Sequence, residues 1–203
     1  MDMDSTVIAI ECIDEIAKLA GVGEQVAEVT AKAMRGEIAF NDSLTHRVAC
    51  LEGVPVAHLK KIRDSLPIMP GIQSLLAYLK QHNWKLAIAS GGFTFFADHL
   101  KARLGLDFAI SNTLAVSENL LTGKVEGEIV NADVKARTVK QLAEKWQIPT
   151  SQTVAMGDGA NDLVMMAESA LGVACHGKPL VNEKADVAIR IGSLHSMLYF
   201  LDK

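Results

Sequence analysis

The chain has 203 residues, 49% hydrophobic and 22% charged, which suits one α/β domain with a sizeable core and excludes a disordered chain. A net charge of -4, a pI near 5.9 and the lack of any basic run exclude an electrostatic nucleic-acid or anionic-membrane binder. Cys12, Cys50 and Cys175 are far apart without a C-x-x-C spacing, so neither a disulfide framework nor a zinc site is indicated. With no signal-peptide pattern and no apolar run of about 18 to 20 residues, a cytoplasmic location is expected.

The first stretch is Met1-Asp2-Met3-Asp4-Ser5-Thr6. In an extended segment residues i and i+2 face the same side, so Asp2 and Asp4 aim their charges into one small volume. Two carboxylates in one site raise a pKa or recruit a hard cation such as Mg2+; a frayed polar terminus is the plain alternative. Helical spacing of Ile13, Ile16, Ala17 and Ala20 predicts a helix over 11–20, stopped by Gly21. Further helices are expected over 22–35, from Asn41 or Asp42 as N-cap to 51, and over 55–66 before the Pro67 to Pro70 pair. Four helices with no strand between them read as a cap, residues 11–70, inserted into a core made of 1–10 and 71–203.

Beyond residue 70 strands alternate with helices. The pattern predicts a helix over 71–82, a strand over 84–89, a helix over 93–103 and a strand over 108–110. A hairpin with its turn at 119–123 follows, then a helix over 135–147 and a strand over 153–156. The last elements are a helix over 160–167, strands over 172–174 and 187–190, and a closing helix over 193–201. This alternation implies an α/β fold, a three-layer Rossmann-like parallel sheet with ligands at the carboxyl ends of its strands. Ser90-Gly91-Gly92 and Gly157-Asp158-Gly159-Ala160-Asn161-Asp162 both fall at such ends, where glycines let backbone amides approach an anion. Either could equally be a tight turn. Lys135 opens a helix, an unfavourable end for a cation unless an anion lies nearby.

The ordered set Asp2-Met3-Asp4-Ser5-Thr6, Ser90-Gly91-Gly92, Lys135 and Gly157 to Asp162 resembles the four motifs of the haloacid dehalogenase superfamily of phosphotransferases. The run from Glu11 to Ala17, Met34-Arg35-Gly36, Phe40 and Arg47 is similar to the substrate-reading cap segment of its phosphoserine phosphatase family. The resemblance covers essentially the whole chain. It implies Mg2+-dependent hydrolysis of O-phosphoserine, the last step of serine biosynthesis. In that scheme Asp2 is the nucleophile that becomes an aspartyl phosphate, and Asp4 is the general acid and then the base. Asp2, Asp158 and the backbone carbonyl of Asp4 would hold the metal. Ser90, Gly91, Lys135 and Asn161 would bind phosphate, with Asp162 supporting. Glu11 would take the substrate ammonium and Arg47 its carboxylate, with Met34 and Phe40 packing over it.

The same resemblance carries one departure. In the superfamily the nucleophile ends the first, central strand, and here only Met1 precedes Asp2. The expectation is therefore a C-terminal part of a longer polypeptide whose sheet, lacking an apolar strand of about five residues, could not form in full. Homodimerisation, a further N-terminal regulatory domain and a strand donated by another chain stay open. So do two other functions, transfer of the phosphoryl group to a hydroxyl such as that of homoserine, and a non-catalytic interaction module.

Overall fold

The computed structural model describes residues 1–201. Four helices come first: α1 (Cys12–Ala20), α2 (Gly23–Met34), α3 (Phe40–Ala49) and α4 (Val56–Asp64). After α5 (Ile72–Gln81) the chain runs through β1 (Ala87–Phe93), α6 (Thr94–Leu104), β2 (Phe108–Ser117), β3 (Leu120–Glu126) and α7 (Ala132–Lys145). It continues as β4 (Val154–Gly157), α8 (Leu163–Ala167), β5 (Leu171–Cys175), α9 (Pro179–Lys184) and β6 (Val187–Ile189), and closes on a 3-10 segment, Leu194–Phe200.

The strands form two three-stranded sheets, ordered β1-β2-β3 and β4-β5-β6, rather than the single expected sheet. All neighbours are parallel except the β2-β3 hairpin. The first two residues join the halves. Met1 donates its amine to Ala87 O at 2.9 Å and accepts from Ala89 N at 3.0 Å, while Asp2 N donates to Met156 O at 2.8 Å. The nucleophile candidate thus sits at the seam, beside the carboxyl ends of β1 and β4. Met1 also borders a cavity of 690 Å³ lined by Trp84, Leu86, Leu142, Val154 and Met197.

Several elements differ from the expected ones for local reasons. β1 begins at Ala87 because Leu86 N is taken by Asp107 Oδ2 at 2.9 Å, and it runs on through Ser90-Gly91-Gly92 to Phe93. That triplet is irregular strand, with a register shift between Ala89 and Phe93, and not a turn. The hairpin turns at Glu118 and Asn119, both at positive φ (51° and 65°), a conformation Asn tolerates and two-residue hairpins require. α3 starts at Phe40 without a side-chain cap, and Asn41 instead binds Asn131 across the site. Helix α9 is absent from the expected elements, and the expected 160–167 helix is a 3-10 turn, Ala160–Asp162, followed by α8.

One apolar cluster runs from Met3, Val7 and Ile8 through Ile16, Leu44 and Leu59 to Phe96, Val173 and Leu194. Cys12 and Cys175 are buried in it, and all three cysteines are free thiols. The four-helix group is also stitched to the hairpin by backbone bonds. Gly53 N donates to Leu121 O, Leu121 N to Val54 O and Val56 N to Asn119 O, at 2.8 to 2.9 Å. No helix among the described residues is long and apolar enough to cross a membrane.

Gly71, where the chain returns from α4 to α5, has φ +83°, and a Cβ there would lie 2.7 Å from His195 N. Backbone on that side leaves little room to yield. Gly71→Ala is expected to destabilise by about 2 to 3 kcal/mol, roughly 4 to 12 °C in Tm for a chain of this size. An unchanged thermal melt would contradict this placement.

Candidate active site

Lys135 organises the site. It is the fourth residue of α7, which Asn131 caps by accepting from Val134 N at 3.1 Å. Its side chain is 0% exposed, and its ammonium lies 2.9 Å from Asp2 Oδ1 and 2.8 Å from Asp162 Oδ1. Burial works against its charge, but the two aspartates outweigh it and hold its pKa above the ordinary lysine value. The anion that its position at the start of a helix called for is therefore a pair of buried carboxylates.

Asp2, Asp158 and Asp162 each bring a carboxylate oxygen within 4.8 Å of the others. Thr6 Oγ1 donates to Asp158 Oδ1 at 3.4 Å, and Asp162 Oδ2 accepts from Gly159 N at 3.0 Å. Burial first, and then the neighbouring negative charges, push Asp158 up to about 7 and Asp162 up to about 6, the latter moderated by Lys135. An all-oxygen, multiply anionic group of this kind fits a hard divalent cation. Asp162, expected only to support the shell, is a full member of the group.

Asp4 plays a separate part. Its Oδ1 accepts from Cys12 N at 3.0 Å, at the start of α1. Burial, then Glu11 and Asp2, raise its pKa to about 8, the range that lets a carboxyl give and take a proton near neutrality. Gly92 makes this placement feasible, since a Cβ there would collide with the Asp4 carboxylate and lie 2.5 Å from Met3 Cε. Gly157 likewise admits the Asp162 carboxylate.

Around these groups the remaining candidates fall unequally. Ser90 is buried, with Oγ accepting from Gly92 N at 3.1 Å. Asn161 lies against Gly159. The Phe40 ring rests on Gly91, whose Cβ would sit 2.9 Å from Phe40 Cζ. Arg47 is half-buried, hydrogen-bonded to Ser43 O at 3.4 Å, and shares its field with Asp14, Glu11 and Asp4; burial lowers its pKa. Glu11 accepts from Ser5 Oγ at 2.7 Å. Met34 is 71% exposed at the end of α2. Thr6 and Asn131 escape the sequence reading of roles, although Asn131 stands three residues before Val134, the spacing of an N-cap.

A family model for haloacid dehalogenase-like hydrolases matches residues 1–169. The chain belongs to that family. A phosphoserine phosphatase of Vibrio cholerae is 54% identical over 201 residues, covering 99% of this chain and 61% of the relative. One of Idiomarina loihiensis is 48% identical, covering 97% of this chain and 90% of the relative. A solved substrate-bound phosphoserine phosphatase complex superposes with a TM-score of 0.93 at 37% identity, covering 99% of this chain and 96% of that one. A phospho-aspartyl intermediate analogue of phosphoserine phosphatase gives the same score and identity. The chain spans less than two thirds of the first curated relatives it matches, 61% and 64% of their lengths.

These alignments run along nearly the whole chain, and Asp2 meets Lys135, Asp158 and Asp162 in one cluster. The expectation that a chain with only Met1 before Asp2 could not form its fold is not borne out. The alignments give no support to the homodimer or the regulatory domain that the sequence left open.

Asp4, Asp158 and Asp162 all bind protons more tightly in the folded state than the ordinary carboxylate range near 3.8. Between about pH 4 and pH 8 these three carboxyls therefore hold more protons folded than unfolded and their contribution to stability falls as pH rises, with the buried Met1 amine, whose pKa burial lowers, acting the other way. Melts in EDTA are expected to show Tm declining from pH 5 to pH 8, with millimolar Mg2+ reducing the slope. A Tm that climbs across that window in EDTA would contradict the geometry of the cluster.

Proposed function

We propose that this hydrolase is a Mg2+-dependent phosphoserine phosphatase that hydrolyses O-phosphoserine to serine and orthophosphate, the closing step of serine biosynthesis. The observation that carries the reading is the constellation of Asp2, Lys135, Asp158 and Asp162, buried but for the half-buried Asp158, with a fourth carboxyl, Asp4, raised to about 8 beside it. Relatives at 54% and 48% identity bear that name.

Phosphoryl transfer is largely a matter of positioning and charge screening. Asp2 attacks phosphorus while the bond to the seryl oxygen breaks and protonated Asp4 gives that oxygen its proton, releasing serine. Asp4, now ionised, takes a proton from water, whose oxygen attacks the phosphorylated Asp2 and releases orthophosphate. Lys135 holds Asp2 and screens the incoming anion, and Ser90, Gly91 and Asn161 bind phosphate oxygens. Mg2+, held by Asp2 and Asp158 with Asp162 alongside, would supply charge neutralisation and orientation when bound.

The four helices serve as the cap that selects the substrate, residues 11–70 over a core of 1–10 and 71–201. Glu11 takes the substrate ammonium and Arg47 pairs with its carboxylate, the arrangement a zwitterion requires. Phe40 packs over the phosphate loop, and Met34 would join only by moving inward. Free thiols and the absence of a membrane-crossing helix among the described residues fit the cytoplasm.

Purified chain with Mg2+ is expected to release orthophosphate from O-phosphoserine, with label from ¹⁸O-water appearing in the phosphate. Release that requires an added alcohol would favour transfer instead. Asp2→Asn should reduce turnover by at least about 10³-fold, as loss of a covalent nucleophile does. Arg47→Glu should lower kcat/KM for phosphoserine by about 10²-fold or more, with an aryl phosphate changing several-fold at most. Equal losses on both substrates would remove Arg47 from carboxylate recognition.

A further inference from the structure

Asn112, in β2, belongs to none of the motifs above, yet it is 1% exposed and bonded at both ends of its carboxamide. Its Nδ2 donates to Gly91 O at 2.8 Å and Gly92 O at 3.3 Å, and its Oδ1 accepts from Val130 N at 2.8 Å. Only one orientation of the amide satisfies both sides, because the carbonyls need a donor and the amide N–H an acceptor. Gly91 O and the Gly92 N–H belong to one trans peptide unit and therefore point in opposite directions. Pulling Gly91 O toward Asn112 turns the Gly92 N–H away from it, onto Ser90 Oγ at 3.1 Å. With that lone pair occupied, the Ser90 hydroxyl keeps its proton free for an acceptor in the site. The other end of the amide fixes Val130, one residue before the Asn131 cap of the helix that carries Lys135.

We infer that Asn112 is a positioning residue of the phosphate cradle, presetting the Ser90 hydroxyl as a donor to a phosphoryl oxygen while tying the serine loop to the start of the lysine helix. The inference rests on the reading of this site as one that binds a phosphate ester, and extends it to a residue that touches neither substrate nor metal. A residue that merely held the fold together would act whether or not Ser90 has a hydroxyl. A residue acting through Ser90 would not.

The test is a double-mutant cycle of N112A and S90A, read in Mg2+ as kcat/KM on an aryl phosphate and, separately, as orthophosphate affinity by calorimetry. Expected is a loss of tenfold or more from N112A in both readouts when Ser90 is present, and of less than threefold in the S90A background. N112D, which still accepts from Val130 N but cannot donate to Gly91 O, serves where N112A folds poorly, with the same non-additivity expected. Its added charge acts in both backgrounds and drops out of the cycle. Equal fold-losses with and without Ser90 would overturn the inference. The calorimetric arm needs no turnover, so absent phosphoserine hydrolysis, which would sink the proposed function, leaves it readable.

Discussion

The site depends on one buried cation held between two buried carboxylates. An ammonium with no exposed surface is costly unless it is paired and fully hydrogen-bonded, and Lys135 meets that condition only when Asp2 and Asp162 are both in place. The three residues come from the first turn of the chain, a helix 133 positions on and the loop after β4. The pairing therefore does more than balance charge: it ties those three regions to one another. Removing Lys135 would leave two carboxylates buried together without a cation, and Asp158, which has no lysine partner, is pushed upward by burial and then by Asp2 and Asp162.

A second constraint is the division of labour among four aspartates within one small volume. Asp2 and Asp162 share the lysine, Asp158 accepts from a threonine hydroxyl, and Asp4 leans on the backbone of α1. Environment, not residue type, sets the four carboxyls apart, and under the proposed function it separates nucleophile, acid and ligands. The Cys12 amide that holds Asp4 lies at the start of α1.

Part of this was legible in the sequence because the resemblance rests on short ordered motifs. Asp2, Lys135, Asp158 and Asp162 were named on those motifs, and the structure places them in one cluster. Asn112 was not legible. It lies in a strand between Ser111 and Thr113, and its partners are 18 to 21 residues away, a separation local pattern cannot read. The start of β1 was misplaced for a similar reason, since a distant carboxylate, Asp107, claims Leu86 N.

Met1 and Asp2 are hydrogen-bonded to β1 on one side and to β4 on the other. Three hydrogen bonds at a single dipeptide splice two otherwise separate half-sheets, with a void beside them at Met1. Asp2 is thus registered against both half-sheets at once, and the position of its carboxylate beside Lys135 follows from how the two halves meet.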